Sequence, residues 1–75
     1  MVFLMVIAAE RHADRVGLVL GGCRRDGLRR AAVRVCAERF GTGEWHVSDE
    51  TYRPAMRGRN GSVRLWEGRF ELTRS

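Results

Sequence analysis

The chain opens on two apolar runs. VFLMVIAA (2–9) is β-branched and aromatic with no polar alternation, which predicts a strand buried on both faces. A polar connector, ERHADR, leads to a second run, VGLVLGG (16–22). A connector of about six residues between two such runs favours an antiparallel hairpin. Gly21 and Gly22 break the second run, and the pattern then changes period. In GLRRAAVRVCAERF, Leu28, Ala32, Val35, Cys36 and Phe40 return on one helical face, with Asp26 placed to cap the helix and Gly41 to stop it. The opposite face holds Arg29, Arg30, Arg34 and Glu38, with Arg34 and Glu38 spaced i, i+4.

GEWHVSDE (43–50) alternates again, Trp45 and Val47 inward against His46 and Ser48 outward, and predicts a third strand. Pro54 lacks an N–H for a ladder and holds Arg53 extended, so this strand either ends near TYRP or runs along an edge. Two further turn signals follow, Asn60-Gly61 and Glu67-Gly68. Asn-Gly is among the strongest short-range hairpin signals because both central residues tolerate positive φ. Read as two-residue turns, the pair sets Arg57 opposite Arg64 and Arg64 opposite Glu71, Met56 opposite Leu65, and Trp66 across from Arg69. Met56, Val63, Leu65, Phe70 and Leu72 then share a core face, while Arg57, Arg59, Arg64, Trp66, Arg69 and Glu71 point away. Arg57 directly opposite Arg64 is a destabilising like-charge pair.

The expected architecture is α+β: an antiparallel sheet of about five strands, in the order ββαβββ, with one helix packed on one face. A single helix covers only one face of a sheet. The two apolar strands therefore leave exposed apolar surface, at Phe3, Met5, Ile7, Leu18 and Leu20, where a homodimer or a protein partner is expected; coverage by a loop such as 49–56 is the alternative. No repeat, linker or low-complexity tract divides residues 1–75, and a single domain of this size buries only about 60% of its unfolded surface.

Charge sharpens this picture. All fourteen basic residues are arginine, and the net charge is +5. Residues 51–75 account for +4 of it, with six arginines against Glu67 and Glu71. Guanidinium groups favour carboxylate and phosphate partners. Arginines interleaved with an exposed tryptophan suit two kinds of ligand: phosphates and bases of a single strand, or an acidic protein surface. A solvated face with the tryptophan shielded by arginine stems is the third reading.

Other chemistry has thinner support. Cys23 and Cys36 are too few and too far apart for a zinc signature, and Cys36 falls on the apolar helix face. Cys23, just before the helix, is the one thiol placed for a lowered pKa. His46, Asp49 and Glu50 are potential metal ligands but read more simply as solvated, so no metal and no cofactor is expected. GGCRRDG offers amides and two arginines to an anion but matches neither a dinucleotide-binding nor a P-loop pattern. The apolar run at 2–9 is far shorter than the roughly 20 residues that span a bilayer, and no secretory signal is recognisable, so a cytoplasmic protein without membrane contact is expected.

The order of elements, the helix ending VCAERFG, the Asn60-Gly61 turn leading to Leu65-Trp66 and the Glu67-Gly68-Arg69 turn resemble one kind of small phage-encoded anti-CRISPR protein. These are inhibitors of type I CRISPR surveillance complexes with one helix on an antiparallel sheet. The resemblance spans roughly residues 28–72; an arginine-rich, lysine-free composition departs from it. It implies a non-enzymatic inhibitor in the host cytoplasm that docks on backbone subunits of the complex and obstructs target DNA. By position, Arg57, Arg59, Arg64 and Arg69 would be the basic groups of its contact surface; the residue pattern itself adds Trp66 to this partner-binding face and gives Arg29, Arg30 and Arg34 as a secondary basic face on the helix. An autonomous DNA- or RNA-binding module is the alternative.

Overall fold

The computed structural model describes residues 4–41 and 43–74. Strands β1 (Leu4–His12) and β2 (Arg15–Gly22) form the expected hairpin. A 3-10 turn (Arg25–Gly27) leads into α1 (Leu28–Phe40), and β3 (Trp45–Arg57) and β4 (Val63–Arg74) complete the chain. All strand pairings are antiparallel, in the spatial order β1-β2-β4-β3. The protein is α+β with one helix and a four-stranded sheet, ββαββ.

The core lies between α1 and one face of the sheet. Even-numbered residues of β2 and β4 supply it: Val16, Leu18 and Leu20 from β2, Phe70 and Leu72 from β4. Leu28, Ala31, Ala32, Val35 and Cys36 meet them from the helix. Trp45 closes one end, its indole Nε1 donating to Gly41 O at 3.0 Å. Gly41, at φ +102°, stops the helix as expected. Asp26 does not cap it: the 3-10 turn takes up Asp26, and Gly27 occupies the N-cap with no side-chain bond. At the other helix end, Arg74 Nη2 donates to Phe40 O at 2.8 Å, and its guanidinium sits 4.5 Å from the Trp45 ring centre. A cation there also complements the helix dipole.

The apolar runs of β1 (4–9) and β2 (16–20) are not buried on both faces. Leu18 and Leu20, expected at an interface, are 1% and 0% exposed beneath α1, because alternation turns every even residue of β2 toward the helix. Met5 and Ile7 lie on the uncovered face, 43% and 49% exposed, folded over Gly21. Phe3 lies outside the described residues.

The largest departure concerns β4. Glu67-Gly68 is not a turn, and no fifth strand follows it; β4 runs extended for twelve residues between β2 and β3. Gly68 serves packing instead. A Cβ added there would come 2.7 Å from Phe70 Cε2 and 3.2 Å from Leu28 Cδ1, so the glycine makes room for the ring and the helix. With β4 straight, Trp66 shares the helix-side face with Phe70 and Leu72, while Val63 and Leu65 fall on the other. Glu71 pairs with Gly17 and Asp49 rather than with Arg64.

Candidate functional site

β3 and β4 outrun the rest of the sheet. The last pairing of β2 with β4 is Gly22 with Trp66, so residues 54–65 project as a two-stranded arm. The molecule measures 43 × 23 × 17 Å, in keeping with that projection. Along the edge strand β3, the register shifts around Pro54 and Met56, as expected where the ladder loses an N–H. The loop at the tip is longer than a two-residue Asn-Gly turn. Gly58 N donates to Ser62 O at 2.8 Å, Gly61 takes φ +84°, and Asn60 Oδ1 accepts from both the backbone N and the hydroxyl of Ser62. This Asx-type hook absorbs extra residues and sets Arg57 opposite Val63. The expected Arg57–Arg64 pair is therefore absent, although Met56 does face Leu65. Met56, expected in the core, is 56% exposed because the arm has no helix above it.

The sequence-predicted face is thus divided. Arg57, Arg59 and Arg64 remain together at the arm tip, around a shallow hollow they share with Gly58, Asn60 and Ser62. Arg57 Nη1 donates to Gly61 O at 3.0 Å, which holds its guanidinium along the loop. Arg69 and Trp66 part from this group and from each other. Arg69 lies on the uncovered sheet face, where its Nε stands 3.4 Å from Glu67, itself held at 2.7 Å by Arg53 Nε. Arg53 as hydrogen-bond donor is the main reason the Glu67 carboxyl sits below the usual carboxylate range. Trp66 is half-buried on the helix side under Arg25, whose guanidinium lies 5.6 Å from its ring centre and 4.8 Å from that of Tyr52. Tyr52 meets Phe70 edge to face. Burial, then its hydrogen bond to Glu50, pushes the Tyr52 phenol up to about 12.

A second basic set lies on the helix side over β1, at the end of the sheet from which the arm projects. Arg24, Arg30 and Arg34 border a groove floored by Leu4, Leu28 and Ala31, with Asp26 on its rim. Arg29, grouped with Arg30 and Arg34 on the sequence, is instead engaged by Glu50 at 3.0 Å. Arg24 and Arg25 carry no periodic signal, and only the chain path past Gly22 brings them to that end of the sheet.

Ion pairing separates these sets from Arg15, Arg29, Arg53 and Arg69, each within 4 Å of a carboxylate, but not from Arg11, Arg39 and Arg74, which lie at the other end of the molecule and also meet none among the described residues. Among the described residues, no carboxylate lies within 4 Å of Arg24, Arg25, Arg30, Arg34, Arg57, Arg59 or Arg64. Glu10, Asp14, Glu38, Glu44, Asp49 and Glu71 lie toward the opposite end, around the β1–β2 turn and the C-terminal end of the helix. Of the other three carboxylates, Glu50 and Glu67 are each engaged by arginine, and Asp26 sits on the rim of the groove bordered by Arg24, Arg30 and Arg34. The molecule is electrically polar along its length.

Comparison with models of protein families, with curated proteins and with solved structures finds no match for this chain. Its function has to be read from geometry.

Glu50 points to the helix side and is held by Tyr52 and Arg29, away from His46 and Asp49 on the other face. No group of three or more metal-ligating side chains occurs among the described residues. Cys36 is buried, and burial pushes its thiol up to about 11, so it stays protonated near neutral pH. Cys23 is exposed. No helix among the described residues is long and apolar enough to cross a membrane.

Proposed function

We propose that this chain is a small non-enzymatic binding protein that engages nucleic acid through its arm. The observation that carries the reading is a projecting ribbon whose arginines, Arg57, Arg59 and Arg64, meet no carboxylate, with residues 54–65 containing none. Phosphate oxygens are the complementary partner: guanidinium binds them by charge and by paired N–H donors. Association releases counterions, so affinity falls steeply with salt. Three neutralised phosphates correspond to a loss of roughly 40-fold between 50 and 200 mM salt. The test is fluorescence anisotropy with a labelled oligonucleotide. Replacing Arg57, Arg59 and Arg64 by Ala together is expected to weaken binding at least about tenfold, at the level of several lost charge-assisted contacts, with the melting temperature unchanged. Unchanged affinity in that variant would remove the reading.

A narrower form is the inhibitor reading, a host-cytoplasmic anti-CRISPR protein that docks on a type I surveillance complex and obstructs target DNA. The helix end VCAERFG and the Asn60-Gly61 hairpin support it. The Glu67-Gly68-Arg69 segment, an extended strand, does not. On such a complex a basic arm is complementary to bound nucleic acid or an acidic protein patch. Capture of a protein partner that survives nuclease treatment distinguishes docking on protein from binding nucleic acid alone; loss of all partners under nuclease counts against it. Self-association through Met5 and Ile7 on the uncovered face belongs to the same reading, and a monomer in sedimentation at high micromolar concentration would exclude it.

A further inference from the structure

The arm's shape discriminates among nucleic acids. Resting on the reading that the arm binds nucleic acid, we infer that the ligand is B-form double-stranded DNA, with the arm entering the major groove and Arg24, Arg30 and Arg34 lying on flanking phosphates.

The arm is a free-standing antiparallel ribbon. Its strands extend about three residues past the four-stranded sheet, about 10 Å at the usual rise, before the loop begins. The major groove of B-DNA is about 12 Å wide and about 8.5 Å deep, and it admits a two-stranded ribbon; the minor groove, about 6 Å wide, does not. The deep, narrow major groove of an RNA duplex excludes the ribbon as well.

Single strands are usually held by exposed aromatic rings on which bases stack. The arm provides none, since residues 54–65 contain no aromatic residue. The two rings at its root are already engaged, Trp66 by Arg25 and Tyr52 by Arg25 and Phe70. A duplex needs no such platform, because its phosphates line both sides of the groove. The second basic set suits that arrangement, standing on the helix side over β1 at the same end of the sheet as the arm, with no carboxylate within 4 Å of its arginines among the described residues. The carboxylate-rich end of the molecule faces away from the DNA in this orientation.

Anisotropy titrations with a labelled 20-base-pair DNA duplex, a single strand of the same sequence and the matching RNA duplex test the inference, at roughly physiological and lower salt. The DNA duplex is expected to bind at least about tenfold more tightly than either alternative, the cost of losing groove contacts. Six neutralised phosphates, three on the arm and three on Arg24, Arg30 and Arg34, give a fall of roughly 2,000-fold between 50 and 200 mM salt. Replacing exposed Arg30 and Arg34 by Ala should reduce the logarithmic salt slope by about two while leaving the preference for DNA duplex intact. An unchanged slope overturns the helix-side contact. Single strand or RNA duplex bound as well as DNA duplex overturns groove entry but leaves the nucleic-acid reading standing. Binding to none of the three removes both.

Discussion

The same two strands, β3 and β4, behave differently along their length. Beneath α1, β4 buries Gly68, Phe70 and Leu72 against the helix, while Glu67 is buried on the other face under its arginine partners. Beyond Trp66 the two strands have only each other, and exposure rises until Met56 and the loop are open to solvent. Charge follows the same division. Carboxylates near the helix-covered centre are engaged by arginine, as Glu50 is by Arg29 and Glu67 by Arg53 and Arg69, whereas the arm has arginines and no acid. The centre is built to fold, and the arm, rich in arginine and free of acid, is where we propose that a counter-charge from outside is met.

That division predicts that stability and binding respond to different residues. Leu18→Ala leaves a cavity at a fully buried site and should cost about 2–5 kcal/mol, read from denaturant unfolding, with unchanged affinity in the fraction that remains folded. A loss below about 0.5 kcal/mol would place Leu18 outside the core and break the division. Gly68→Ala pushes a methyl group against Phe70 and Leu28 and should cost about 1–3 kcal/mol. A neutral result would show that Gly68 is not at a close approach and reopen the turn reading of Glu67-Gly68.

The smallest effect concerns pH. Arg53 and Arg69 lower the folded-state pKa of Glu67, so the stability they confer on the carboxylate is complete above the unfolded value, about 4.3, and is lost as pH falls through the folded value. Glu67→Gln should therefore differ most from the wild type near neutral pH and converge toward it in acid. A gap that widens on acidification would contradict the assignment.

Much of the centre was legible in the sequence. Leu28, Ala32, Val35, Cys36 and Phe40 recur at helical spacing, and Gly41 ends the helix because only glycine takes its φ readily. Trp45 and Val47 alternate with His46 and Ser48 as a half-buried strand requires. The arm and β4 were less legible because local and long-range signals conflict there. Glu67-Gly68 carries a turn dipeptide, but pairing with β2 on one side and β3 on the other keeps it extended. Misplacing that turn reverses the parity of everything before it, which is why Trp66 exchanged faces with Leu65 and Val63. The Asn60 hook to Ser62 depends on side-chain geometry that Asn-Gly alone does not encode. Arg57, Arg59 and Arg64 stayed together regardless, because they sit near a single loop and do not depend on register.

The most direct test of the central claim is a titration of the labelled protein with a short DNA duplex, followed by amide NMR shifts. Perturbations are predicted to concentrate at residues 54–65 and around Arg24, Arg30 and Arg34. Perturbations confined to the β1–β2 turn or to the face carrying Met5 and Ile7 would contradict the account.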